Sequence, residues 1–195
     1  MAIERKIKIH SIAFFDTGWE YPEMYNHIKE VEQYIGRPII RLSPIYNFKD
    51  MLKRYGWPHM CLRWCTGEKM RAMRKYTHAN NAISLIGYAA DEIKRANGKE
   101  QKKRLTRFPL IEWGITEKAA LSYCLKKGFT WGGLYNHFKR CSCFCCPLQK
   151  LDDFRKIKKF YPVLWQRMLE MEKTANPQCS FWNHKTVQDL DARFS

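Results

Sequence analysis

No apolar run in this chain approaches the ~20 residues that a membrane-spanning helix requires, so a span of that kind is not expected. The opening stretch, MAIERKIKIHSIAFFDTG, interleaves charges with a short strand-like run. It has neither the long apolar segment nor the small-residue cleavage site of a secretory signal. There is no internal repeat and no low-complexity linker, which sets aside solenoids and disordered tails. Acidic residues are scarce: 19 Asp and Glu stand against 35 Lys and Arg, for a net charge of +16. The six histidines, His10, His27, His59, His78, His137 and His184, form no ligand-type pairing.

What is present begins with that charge. A basic excess of this size suggests a polyanionic partner, whether nucleic acid, nucleotide phosphates or a sulfated substrate. A merely soluble basic surface is the plainer alternative. The cations cluster in residues 69–75, 94–104 and 154–160, and aromatics lie close to the first and last of these runs. That mixture suits backbone-plus-stacking contact with single strands. The hydrophobic fraction of 45% and the 195 residues allow one domain with a real core, or one domain plus a small appendage.

Cysteine is the second abundance, with eight residues. Cys61 and Cys65 sit four apart in CLRWC. Far downstream, CSCFCC places Cys141, Cys143, Cys145 and Cys146 together, including the pair Cys143-x-x-Cys146. Two short-spaced pairs can converge as four thiolates, which would make a tetrahedral zinc site or an iron–sulfur cluster of the 4Fe–4S type. Cys141 and Cys145 are rival ligands or sulfur carriers. Redox disulfides and inert packed thiols are the competing readings. Thiols at this density without a signal peptide point to a reducing, cytoplasmic setting.

The pattern along the chain predicts alternating strands and helices. A strand is expected over residues 6–15, ended by Asp16-Thr17-Gly18. Pro22 opens a helix that Gly36 stops. Residues 37–42 read as a strand, 47–56 as a short helix, and Thr66 as the cap of a helix to about Ala79. Residues 82–87 read as a buried strand, 94–104 as an exposed loop, and Thr116 as the cap of a helix ended by Gly128. The tail, 150–173, reads as helical with Phe154, Ile157, Leu164, Met168 and Met171 on one stripe. Strands alternating with helices imply parallel pairing and an α/β fold, a parallel sheet flanked by helices. We divide the chain into residues 1–140, the α/β domain, and 141–195, a Cys-rich motif with a helical extension.

Five collinear segments resemble the phosphoadenosine phosphosulfate reductase family. They are FFDTGWEYPEMY (14–25), RWCTGEKM (63–70), IGYAADE (86–92), FPLIEWGITEKAALSYCLKKGF (108–129) and SCFCCPLQ (142–149). The resemblance implies an adenine nucleotide alpha-hydrolase-like fold with a five-stranded parallel sheet. Members reduce sulfonucleotides, or activate a substrate with ATP and insert sulfur into nucleic acid. By that resemblance Asp16, Thr17 and Gly18 line an adenosine pocket for ATP or phosphoadenosine phosphosulfate. Lys69 and Arg71 face phosphate or sulfate, and Gly87 lets the ligand approach its strand end. A turn at the carboxyl end of a parallel strand is where such sheets bind nucleotides, and a helix N-terminus favours anions. Arg95 is a further phosphate candidate. The metal ligands are expected to be Cys61, Cys65, Cys143 and Cys146, and the family tilts the choice toward iron–sulfur.

The chain departs from the family in one respect. The Ser-x-Gly-Lys-Asp-Ser loop, which cradles pyrophosphate on backbone amides, is not in the sequence. ATP pyrophosphate chemistry by this chain alone is therefore not expected. The strand that precedes that loop is central in the family's sheet, so we expect it to come from a partner subunit, from another copy, or from an upstream segment. Cys179, in NPQCSFW, is the one candidate for a separate catalytic thiol and lacks the flanking pattern. Two function classes follow: a sulfur-moving enzyme or subunit of one, and a non-catalytic module that binds nucleic acid or protein.

Overall fold

The computed structural model describes residues 1–98 and 105–194. Strand β1 (Ile12–Phe15) runs parallel to β2 (Ile39–Leu42), with Ile12 opposite Ile39 and Phe15 opposite Leu42. The crossover between them is helix α1 (Pro22–Ile35). Pro22 starts it because its fixed φ suits the first helical position. Gly36 ends it at φ 64, returning its N–H to the Gln33 and Glu32 carbonyls. A second parallel pair joins β3 (Ser84–Leu85) to β4 (Thr106–Arg107). The α/β class and the parallel pairing match the sequence reading. Where the resemblance implied a single five-stranded sheet, the described residues form two separate parallel pairs, with no ladder among them joining β1 to β3.

Helix α2 (Phe48–Tyr55) is capped by the Asn47 side chain, which accepts from the Lys49 N–H. Helix α3 (Trp64–Ala79) begins two residues before the expected cap at Thr66. The reason is Trp64, buried and donating its indole N–H to the Gly56 carbonyl at 3.1 Å. Cys65 consequently lies inside the first turn of the helix. The first strand is also shorter than expected, because residues 1–7 form turns closed by Arg5 N–H to Met1 O and Ile7 N–H to Ala2 O.

The remaining elements are α4 (Ile93–Ala96), α5 (Pro109–Glu112), α6 (Glu117–Lys126), α7 (Leu134–His137), α8 (Leu151–Phe160), α9 (Pro162–Thr174) and α10 (Val187–Arg193). Thr116 caps α6 by accepting from the Ala119 N–H, as its position in the sequence suggested. The expected loop at 94–104 begins inside α4, and residues 99–104 lie outside the described residues. The tail is two helices, not one. Pro162 cannot continue α8, and its ring suits the start of α9.

A hydrophobic cluster ties the β1–β2 part of the fold to the tail. It joins Phe15, Trp19, Phe48, Trp57 and Trp64 of the first half to Phe154, Trp165, Met168, Val187 and Leu190 of the tail. The proposed boundary at 140/141 is not marked by a break in this core. Trp57 and Phe154 both meet the Phe181 ring, with centroids 4.8 and 5.0 Å away. The tail thereby braces the loops at the carboxyl ends of the strands.

Candidate nucleotide and thiolate site

Where β1 ends, Asp16-Thr17-Gly18 turns the chain toward α1. Asp16 Oδ1 accepts from the Gly18 N–H and from the Tyr25 hydroxyl, both at 2.8 Å. Gly18 sits at φ +71, where a side chain would strain the backbone, although the space beside its Cα is open. Its carbonyl accepts from Arg167 of α9 at 2.9 Å. Thr17 Oγ1 accepts from the Trp19 N–H and donates to Glu20 Oε1, each at 3.0 Å.

The cysteine loop docks on this turn through its backbone. The Phe144 N–H donates to the Trp19 carbonyl at 3.0 Å, and buried Phe144 anchors the loop in the core. Gln149 donates to the Cys143 and Phe144 carbonyls, both at 3.1 Å, and so closes the loop on itself. Cys143 Sγ is thereby set 3.6 Å from Thr17 Oγ1 and donates to Glu20 Oε1 at 3.4 Å. The CxxC loop and the DTG turn are thus packed against each other.

Burial dominates its electrostatics. It pushes the Glu20 carboxyl above the ordinary range, against the hydrogen bonds of Thr17 and Cys143 and the nearby Lys69 charge. Burial also raises the thiols of Cys143, Cys145 and Cys146. Cys141 is pushed up to about 11. Without a cation, these thiols are held neutral.

Lys69 is one turn beyond Cys65 on α3, so the two share the face that influences Glu20. Arg71 is on a different face. It pairs with buried Glu68 at 2.5 Å and lies 5.4 Å from the Tyr46 ring. The basic positions expected to act together thus point to separate surroundings. Gly87 lies apart again, in a cleft of about 350 Å3 with Tyr88, Arg95, Tyr135, Arg140 and Cys141. Arg95 there pairs with Glu92, which also receives Arg140 at 3.0 Å.

Of the expected metal ligands, Cys65, Cys143 and Cys146 are partly buried, and Cys146 is influenced by the charges of Cys65 and Glu20. Cys61 is exposed, in a turn closed by the His59 and Leu62 backbones. Among the described residues no three His, Cys, Asp or Glu side chains already stand at metal-ligand distance from one point. Cys143, Cys146 and Glu20 lie on the two turns that the Phe144–Trp19 backbone bond links, and Cys65 lies in helix α3; soft thiols are the donor type that a thiophilic ion or cluster takes. Cys179 is a packed thiol. A Cβ at Gly56 would meet its Cβ at 2.6 Å.

Sequence reasoning missed Glu20 and Arg167. Glu20 carries a readable signal, an acid two residues past the DTG glycine. Arg167 carries none, because a solvated helix face looks the same.

Residues 1–149 match the family model for the phosphoadenosine phosphosulfate reductase domain. The chain belongs to that family. It is 30% identical over 168 residues to the uncharacterized protein MJ0066 of Methanocaldococcus jannaschii, covering 80% of this chain and 34% of that protein. It is 22% identical over 176 residues to the uncharacterized protein MJ0973 of the same organism, covering 83% and 41%. The chain therefore spans less than half the length of either relative. No solved structure matches it. In this phosphoadenosine phosphosulfate reductase domain, no helix among the described residues is long and apolar enough to cross a membrane.

Proposed function

We propose that this chain binds an adenine nucleotide, ATP or phosphoadenosine phosphosulfate, at the DTG turn, beside a thiolate-held zinc ion or iron–sulfur cluster. The chemistry would be sulfonucleotide reduction or sulfur transfer to nucleic acid. The observation that carries this reading is the 3.6 Å approach of Cys143 Sγ to Thr17 Oγ1. It puts the soft-donor loop against the turn that the family uses for nucleotide. Cys65, Cys143 and Cys146 would hold the metal, with Cys61 the fourth ligand expected from spacing. The group would supply either a Lewis acid or an electron relay.

Titration calorimetry of anaerobically purified protein with each nucleotide tests the reading. We expect saturable binding that Gly18→Val abolishes while the protein stays folded. Binding of neither nucleotide to metal-loaded protein would overturn it.

A second reading has its own support. The separation of β1 from β3 and the net charge of +16 favour a chain that works with a partner. A strand supplied by a partner subunit, or by another copy, would pair between the two sheets. The basic surface would then dock nucleic acid or protein. Affinity for single-stranded RNA that falls steeply with salt would support the nucleic-acid form. A salt-insensitive stoichiometric protein complex would support the protein form.

A further inference from the structure

We propose that Tyr46 and Arg71 form the contact face for one nucleotide of a single-stranded nucleic acid, the ring stacking on its base and the guanidinium holding its phosphate. This rests on the nucleic-acid form of the second reading above and gives that reading a place on the molecule.

The place is built on a buried carboxyl. Glu68, near the start of α3, is 2% exposed. A carboxyl group taken out of water has to be met by hydrogen bonds, and both of its oxygens are. Oε2 accepts from the Tyr46 N–H at 3.1 Å, and Oε1 accepts from Arg71 at 2.5 Å. Each partner leads outward: Tyr46 is 56% exposed and the Arg71 side chain 53%. The buried group therefore fixes an aromatic and a cation side by side on the surface, with the guanidinium 5.4 Å from the ring centroid.

The loop does not need the Tyr46 ring for packing. Its anchor is buried Phe48, two residues on, whose ring meets Trp19 and Trp64 with centroids 5.0 Å away in each case. An exposed aromatic face beside a guanidinium suits a base and its phosphate. A guanidinium has five N–H donors and a carboxylate takes a fork of two, so Arg71 has donors left for a phosphate.

The charge around the pair is complementary to a polyanion. Helix α3 carries Lys69, Arg71, Arg74 and Lys75 and a single acid, Glu68. Because that acid is buried, the helix shows positive charge to solvent. Arg71, Arg74 and Lys75 are spaced i, i+3 and i+4, so they form one stripe leading away from Tyr46. The location also fits. The Asp16 N–H donates to the Leu42 carbonyl at 2.8 Å, where β1 and β2 end together, and Tyr46 follows four residues later. A strand held on Tyr46 is thus brought to the rim that carries the DTG turn.

Fluorescence anisotropy of the full chain with labelled oligothymidylate and oligouridylate of about 12 residues tests the assignment. The parent should bind, with affinity that falls as salt rises. Tyr46→Ala should weaken binding of either oligomer about fivefold or more, since stacking does not read the sugar, and Tyr46→Phe should stay within about twofold of the parent. Both variants keep the backbone bond to Glu68, and circular dichroism checks that they are folded. On an abasic oligomer of the same length, parent and Tyr46→Ala should bind alike, because only phosphates remain. Arg71→Gln should lower the slope of log affinity against log salt by about one. Binding by the parent that Tyr46→Ala leaves unchanged, or weakens equally on the abasic oligomer, would overturn the proposal and leave the nucleic-acid reading standing. Failure of the parent to bind either oligomer would overturn both.

Discussion

Thr17 and Cys143, 126 positions apart in the chain, meet at 3.6 Å. Thr17 is also the donor that orients Glu20 and the acceptor that shapes its own turn. A single hydroxyl therefore couples the strand-end turn to the cysteine loop.

Replacing that hydroxyl without changing side-chain volume tests the coupling. Thr17→Val removes both hydrogen bonds and leaves the Trp19 N–H and Glu20 without their partner. We expect a loss of about 1–3 kcal/mol in urea unfolding. Cobalt(II) affinity should fall in the same variant.

Arg167 links the tail to the site. Its guanidinium donates to the Gly18 carbonyl and stands 5.2 Å from the Phe144 ring. The side chain is exposed, which limits its worth to about 1 kcal/mol of stability for Arg167→Ala. Nucleotide affinity, measured by calorimetry, should fall because the DTG turn loses its brace.

Gly56 is the most constrained glycine next to the core. At φ +69, an added Cβ would meet Cys179 Cβ at 2.6 Å and the Asn176 carbonyl oxygen at 2.8 Å. A backbone atom cannot rotate away. Gly56→Ala should cost about 2–4 kcal/mol, read as a lowered Tm. Adding Cys179→Ala should not restore it, since the clash with the Asn176 backbone remains.

Asp191 contributes to the acid limb of the pH profile. Its carboxylate accepts from Lys158 at 2.9 Å and from the Trp165 indole N–H at 2.6 Å, and these bonds hold it below its ordinary value of 3.8. The unfolded chain binds this proton more readily, so stability rises with pH through the window below 3.8. The contribution is fully present above 3.8 and is lost as pH falls through the lower folded value. Asp191→Asn should flatten that part of the curve in pH-dependent urea melts.

Much of this was legible in the sequence for local reasons. Pro22, Gly36 and Thr116 punctuate helices by backbone preferences that act within a few residues, and each sits where its chemistry predicted. The DTG and cysteine segments announced a site by residue type. Their contact did not show, because it is made by a backbone bond between Trp19 and Phe144 and by the burial of Phe144, neither of which leaves a spacing pattern. The start of α3 was misplaced because the tertiary bond from Trp64 to Gly56 overrides a capping preference at Thr66. The pairing of Arg71 with Glu68 was not legible for the same reason: only the fold buries that carboxylate beside the cation three residues on along its helix. Glu20 was passed over because an acid beside a turn is common on surfaces, and only the fold half-buries this one.

The central claim is that turn and loop are one site, so a ligand at the first must be felt at the second. The most direct measurement is titration of ATP, and separately of phosphoadenosine phosphosulfate, into cobalt(II)-loaded protein while the thiolate charge-transfer band is followed. The account predicts a saturable change in that band whose midpoint equals the calorimetric Kd. Calorimetric binding with an unmoved band would contradict it, placing nucleotide and metal in separate sites.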